Sequence, residues 1–207
     1  MEETLRVQCF TGVELANYIP AVAQLRIEIF RDFPYLYDGD MAYEAKYLQT
    51  YIQSSGSVIV LVFDGEAVVG AATGVPLVHE SSEVQRPFLV TGIDPRDVFY
   101  IGELVLRKAY RGRGLGVRFF NEIERHAHNI GPFKYAALCA VDRPSDHAQR
   151  PIDHLPLDNF WRKRGYKRQP QLHTMFSWRE IGAATSSEKS MTFWLKNLVG
   201  ASDGEQL

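Results

Sequence analysis

The chain has 207 residues, 45% of them hydrophobic and 23% charged, with a formal net charge of −2. That composition is ordinary globular usage, long enough for one domain with a core of its own, and it lacks the positive excess that drives non-specific binding to nucleic acid or an anionic membrane. Two cysteines, Cys9 and Cys139, are too few for a disulfide framework or a four-thiolate zinc site. The first ten residues lack the basic-then-apolar profile of a signal peptide, and no apolar run approaches the roughly 20 residues of a membrane span. The expectation is a cytoplasmic protein, with a single domain over residues 1–200 and a frayed tail over 201–207.

Residues 5–10 alternate weakly and read as a first strand. Thr11 to Glu14 has the spacing of a capping box, and Pro20 suits the first turn of a helix whose stripe is Val22, Leu25, Ile29 and Phe30. A loop rich in aromatics and turn residues follows, from Phe33 to Asp40. Asp40 is placed to cap a second helix, with Ala45, Leu48, Tyr51 and Ile52 at helical spacing. Residues 58–63 are β-branched and apolar, and Asp64-Gly65 separates them from a second such run at 67–71, a hairpin signal. Residues 76–97, with Pro87, Gly92 and Pro95, read as a long irregular connection.

Residues 98–106 form a continuous apolar strand that contains Glu103. Arg111-Gly112-Arg113-Gly114-Leu115-Gly116 comes next, and then a helix with Leu115, Phe119, Phe120, Ile123 and Ala127 on one face. Residues 135–141 are another buried strand. Residues 142–157 are a polar loop, 158–164 a short helix stopped by Gly165, and 172–178 and 191–195 closing strands. The order β-α-α-β-β-β-α-β-α-β-β describes an α/β protein with a mixed sheet and helices on its faces.

Strand, glycine-rich turn and helix together are the arrangement that binds a phosphate, because glycine lets the backbone approach and the first helical turn presents unpaired N–H groups; a turn that only connects strand to helix is the other reading. The dinucleotide fingerprint does not fit: after Gly112 and Gly114, Gly116 comes one residue early. The Gly-Lys-Ser/Thr of a Walker loop is absent. Arg111-x-x-Gly114-x-Gly116 after an apolar strand does resemble the acetyl-CoA motif of the GNAT N-acetyltransferases. The resemblance extends to the Asp64-Gly65 hairpin, to the segment from Asn159 to Tyr166, and to the element order from about residue 5 to 195.

The resemblance implies a GNAT-type acyl-CoA N-acyltransferase fold and a set of placements. Backbone groups of Leu104, Val105 and Leu106 would pair with the pantetheine arm. N–H groups of Arg111, Gly112, Arg113, Gly114, Leu115 and Gly116 would hold the pyrophosphate. The strands 98–106 and 135–141 would splay to admit the acyl group, and Asn159 and Trp161 would lie beside the cofactor. The implied reaction is direct attack by an amine on acetyl-CoA, with no metal and no acyl-enzyme. A homodimer is compatible with the family.

Glu103 is the candidate general base, since a carboxylate inside an apolar strand needs either a partner or a task. A structural salt bridge is the other reading of the same residue. Trp161 stands where the family often has a tyrosine that protonates the thiolate. Indole N–H is a hydrogen-bond donor and not an acid, which leaves Tyr166 or Tyr100 as substitutes. For the acceptor, Tyr35, Tyr37 and Asp38 offer aromatic faces and negative charge to a small cationic amine. A protein or peptide acceptor, and a non-catalytic acyl-CoA-binding module, are the alternatives. The loop 142–157 contains a repeat, Arg143-Pro-Ser-Asp-His147 and Arg150-Pro-Ile-Asp-His154. It reads as pocket lining or turn chemistry in preference to a metal site.

Overall fold

The structure, a computed structural model, describes residues 5–199. In chain order the elements are β1 (Arg6–Phe10), α1 (Ile19–Phe30), α2 (Met41–Gln53), β2 (Val58–Asp64), β3 (Ala67–Pro76), α3 (Ser82–Val90), β4 (Val98–Leu106), α4 (Leu115–Ile130), β5 (Tyr135–Val141), α5 (Asp158–Lys163), β6 (Lys167–Arg179) and β7 (Ser186–Asn197), with short 3-10 turns between. The seven strands form one sheet in the order β1-β2-β3-β4-β5-β7-β6. Neighbours are antiparallel except β4 and β5, which run parallel. Both faces are covered, which is why the central strands are continuous apolar runs. Ile59, Leu61 and Phe63 of β2 join the core with α1, α2 and α3, while Val58, Val60 and Val62 join the core with α4.

The expected mixed sheet and element order are present, with one added element and differences at the first helix, the hairpin and the closing strands, which run Lys167–Arg179 and Ser186–Asn197 and so begin earlier than the expected 172 and 191. The connection 76–97 contains α3. Pro87 lies inside that helix, so the bond from residue 87 to the Glu83 carbonyl cannot form. The Thr174 hydroxyl of β6 donates to that carbonyl instead, at 2.8 Å. Val84 and Phe88, four apart, bury the helix's inner face. The anticipated capping box fails: residues 12–18 form a 3-10 turn, Thr11 makes no side-chain cap bond, and α1 begins only at Ile19. Asp40 does cap α2, accepting from the Tyr43 N–H at 2.9 Å. In the hairpin Asp64 pairs with Ala67, so the turn residues are Gly65-Glu66, one place later than expected. Only Gly65 has a positive φ, +58°, as a turn with glycine in its first central place requires.

The feature that positions the site is in β4. Glu103 pairs with Thr73 and Ile101 with Gly74, leaving Gly102 as an extra residue in a β-bulge. The bulge reverses the alternation, so Glu103 shares a face with Tyr100 and points to the α1–α2 side. Pairing of β4 with β5 ends at Ile101 and Leu138, although both strands continue. Gly102 is fixed from above: a Cβ there would lie 2.0 Å from the Tyr51 hydroxyl and 2.9 Å from the Thr73 hydroxyl. Gly102→Ala is therefore expected to cost about 1–3 kcal/mol by overpacking, read as a lower urea midpoint at unchanged slope. A variant as stable as the wild type would show that Tyr51 yields freely.

Candidate active site

Beyond Ile101 the β5-side edge of β4, at Leu104, Val105 and Leu106, has no strand partner among the described residues. An extended ligand can pair there as an added strand. The glycine turn lies at the end of the same strand. Gly112 and Gly114 both have φ of +78°, and nothing lies within 4 Å of where their Cβ atoms would be. Gly114 immediately precedes α4, whose first turn has no side-chain cap and no acidic residue. The first helical bond there runs from the Arg118 N–H to the Gly114 carbonyl, at 3.1 Å. The amides at the start of α4, including those of Leu115 and Gly116, are thus left for an anion. Arg111 and Arg113 bond back to the carbonyls of Leu106 and Ala109, each at 3.2 Å, which keeps their charge beside the turn.

Gly116 has a different task. It has no positive φ, and a Cβ there would meet the Phe160 ring at 3.1 Å. Its missing side chain seats α5 against the start of α4. Asn159 is exposed, its side-chain oxygen accepting from Arg162 at 3.0 Å. Trp161 packs edge-on against Trp194, with centroids 5.2 Å apart. Tyr166 is buried and donates to Glu124 at 2.9 Å. Burial, then the Glu124 carboxylate, push its pKa well up. Tyr100 is also buried, and burial raises its pKa likewise. Neither tyrosine has the lowered pKa that would make it a ready acid.

On the α1–α2 side of the bulge lies a charged cluster in the core. The Arg26 guanidinium of α1 donates to Glu44 of α2 and to Glu103 of β4. The two carboxylate side chains are 0% and 1% exposed. The guanidinium also lies 4.4 Å from the Tyr47 ring centroid and 5.1 Å from that of Phe30. Glu103 therefore has the partner its burial demands, yet its pKa remains above the usual carboxylate range. Desolvation raises it, Arg26 opposes, and Glu44 adds to the rise. One oxygen, Oε1, is buried with no hydrogen-bond partner among the described residues. The two readings of Glu103 coexist in this geometry. Neither Arg26 nor Glu44 was a sequence-derived candidate. The available signal was position: Arg26 falls in the stripe of Val22, Leu25 and Ile29, and Glu44 in that of Leu48 and Tyr51.

The loop between α1 and α2 places Tyr35, Tyr37 and Asp38 differently from one another. Tyr35 packs between Phe30 and Trp178, and burial raises its hydroxyl pKa. Tyr37 sits near Glu44, and burial followed by that carboxylate raises its pKa. Asp38 is paired with Arg179 at 2.7 Å, so its charge is already balanced. Phe33 lies between His147 and His154, with centroids 5.5 and 4.7 Å away. The two halves of the Arg-Pro-x-Asp-His repeat thus converge on one aromatic ring. Among the described residues no group of three or more His, Cys, Asp or Glu side chains is arranged for a metal.

A parallel pair that parts in mid-sheet, beside a helix opened by glycines, offers an extended ligand a strand edge and the ligand's anionic end a helix start. A model of the acetyltransferase (GNAT) family matches residues 22–151, and the chain belongs to that family. The fold is shared with solved structures of low identity. Arabidopsis thaliana NAA60 in complex with acetyl-CoA is 16% identical, with a TM-score of 0.60 over 95% of this chain and 100% of that one. Salmonella typhimurium yncA, solved with its cofactor acetyl-CoA, is 10% identical, with a TM-score of 0.59 over 98% and 99%. Ribosomal-protein-alanine N-acetyltransferase from Brucella melitensis is 13% identical, with a TM-score of 0.58 over 92% and 99%. No curated protein matched the sequence.

The cluster makes a stability prediction. Arg26→Met strands two buried carboxylates, at a cost of about 3 kcal/mol at pH 7. Burial already raises the Glu103 carboxyl and Arg26 opposes that rise, so without the guanidinium Glu103 titrates further above its unfolded value and the folded state binds more protons as pH falls. The deficit should shrink between pH 7 and pH 5 in guanidinium titrations. A deficit that grows on acidification would contradict the pairing.

Proposed function

We propose that the protein transfers an acetyl group from acetyl-CoA to the amine of a small molecule, by direct attack in a ternary complex. The observation that carries this reading is the coincidence, at one end of β4, of an unpaired strand edge and an uncapped helix start. The residues fit the cosubstrate. Leu104 to Leu106 would pair with its amide-bearing arm, the amides from Arg111 to Gly116 would take its pyrophosphate, and Trp161 and Asn159 would flank it. When bound it supplies the activated acetyl thioester. The chain's own part is to hold the arm in the cleft and to accept the proton of the incoming ammonium at Glu103 Oε1. Trp161 offers a hydrogen bond and no proton. A thiol with pKa near ~8.5 leaves without a strong side-chain acid.

A small acceptor is favoured by how the loops join. Tyr37 forms a bridge with Glu180, the Asp38 N–H donates to the Arg179 carbonyl at 2.9 Å, and the Ile181 N–H donates to the Leu36 carbonyl at 2.8 Å. Arg143 donates to the carbonyls of Pro34 and Tyr35, at 2.7 and 3.2 Å. The α1–α2 loop, the β6–β7 turn and the loop 142–157 are thereby stitched together, whereas an extended peptide needs a trough between them. Tyr35, Tyr37 and Asp38 would form the wall that meets the acceptor.

The first test uses Gly114→Asp. Aspartate tolerates the left-handed conformation and its carboxylate favours a helix start. At a φ of +78° the added Cβ costs about 1 kcal/mol, which the helix-start carboxylate partly offsets, so the variant should stay folded. The same carboxylate occupies the pyrophosphate position, so acetyl-CoA affinity by calorimetry should fall at least about 100-fold, roughly 3 kcal/mol. Equal affinities would remove the glycine turn from the cofactor site. A second measurement follows CoA release over a panel of small amines and peptides. Release only with peptides would replace the small-molecule acceptor, and binding without release would leave an acyl-CoA-binding module.

A further inference from the structure

The buried cluster holds more negative charge than its arginine balances. Arg26 is one cation, and it meets two carboxylates, Glu44 and Glu103, whose side chains are almost wholly removed from water. Balancing the guanidinium for folding needs only one of them. The guanidinium is also divided. Its Nε donates to Glu44 Oε2 and its Nη1 to Glu103 Oε2, so neither carboxylate is gripped by a fork of two parallel bonds. The second oxygen of each, Oε1, is buried with no hydrogen-bond partner among the described residues. The guanidinium lies over the Tyr47 and Phe30 rings, which hinder its turning toward Glu103 alone. Glu44 is fixed by the start of α2. Its N–H donates to the Asp40 carbonyl at 3.0 Å, which places it in the first turn, where the helix dipole favours an anion.

We propose that Glu44 is the residue that makes Glu103 a base, by taking half of the Arg26 guanidinium and leaving the triad one negative charge in excess. The inference rests on the acetyltransferase reading, which supplies the proton. A lone Arg26–Glu103 pair would be neutral, and protonating it would strand a buried cation. With Glu44 present, a proton on Glu103 Oε1 brings the triad to neutrality and leaves both Arg26 bonds in place. The N–H bond of the acceptor ammonium breaks, its electron pair stays on nitrogen, and an O–H bond forms at Oε1. The proton is returned to water before the next turnover. Glu44 acts only through Arg26, as a positioning residue.

The charged and titratable groups around Glu103 are Arg26 of α1, Glu44, Tyr47 and Tyr51 of α2, Tyr35 of the loop between those helices, and Glu80 beyond β3. Tyr100 of β4 and Cys139 of β5 act on Tyr35 and on each other's surroundings in turn. Glu44 faces Arg26 and Tyr37. Burial holds the Glu103 carboxyl above the ordinary range, Arg26 lowers it, and Glu44 raises it again. Burial likewise raises Glu80, to about 7. Among the described residues these are the two carboxyls held above the ordinary range.

The triad is testable without an acceptor, by infrared titration of the carboxyl groups in the full chain. In a Glu80→Gln background the carboxyl that titrates highest should be Glu103, and Glu103→Gln should remove it. Adding Glu44→Gln to that background frees Arg26 for Glu103 and removes a like charge. The Glu103 midpoint should then fall by about one pH unit, a tenfold loss of proton affinity. A merely structural Glu44 would change stability and leave the midpoint in place. Because Arg26–Glu103 is then a neutral pair, Glu44→Gln and Glu44→Met should both fold. Failure of both would show that folding needs the second carboxylate, and would overturn the proposal. So would a Glu103 midpoint within the ordinary carboxylate range before Glu44 is changed, or one that Glu44→Gln leaves unmoved or raises. Acetyl-CoA binding to the wild type is measured in parallel by calorimetry. Its absence would overturn the transferase reading and Glu103 as base with it, whereas binding with an unmoved midpoint would overturn the role of Glu44 alone.

Discussion

The parting of β4 from β5 is the constraint on which the rest of the structure depends. A parallel pair inside a sheet normally continues until a strand ends, because buried backbone groups need partners. Here the pairing ends at Ile101 and Leu138 while both strands run on. The bulge at Gly102 bends β4 at the point of separation, and the Tyr51 hydroxyl fills the space that a side chain would need. The edge left unpaired can accept an extended ligand. The glycine turn at its end leaves the first amides of α4 uncapped, and Gly116 lets α5 pack against the start of that helix.

The bulge also decides the electrostatics. By reversing the alternation it sends Glu103 into the core under α1 and α2 instead of toward α4. Two carboxylates and one guanidinium removed from water are costly, and an apolar replacement of equal volume commonly matches or exceeds such a group in stability. The unpartnered oxygens of Glu44 and Glu103, and the Thr73 hydroxyl, add to that cost. A cluster left incompletely satisfied beside a cleft fits chemistry better than it fits folding.

The acceptor side is organised by contacts between distant segments. Arg143 and Asp38 each spend their charge on joining loops, to Glu180 and Arg179 respectively. The histidines of the repeated motif enclose Phe33. Residues that look in isolation like ligands for a cation are here joined to other loops, Tyr35 packs between Phe30 and Trp178, and Tyr37 lies beside the Glu44 carboxylate.

Local chemistry was enough for much of this. The strands 98–106 and 135–141, the Asp40 cap, the glycine turn and the helix after it are legible because apolar period, turn residues and caps act within a few residues of chain. The family followed from the same segment. Helix α3 was hidden because Pro87 argues against a helix, and its compensating donor, Thr174, lies in a strand 87 residues further on. Arg26 and Glu44 were hidden for a like reason: each is an ordinary charged helical residue until the bulge at Gly102 turns Glu103 toward them. The sequence by itself determined the mixed sheet, the glycine turn and the transferase family, since those rest on periodicity and backbone conformation. Only the tertiary structure decided which charges meet in the core and which loops close the cleft, because Coulomb energy and burial depend on distances that no sequence spacing reports.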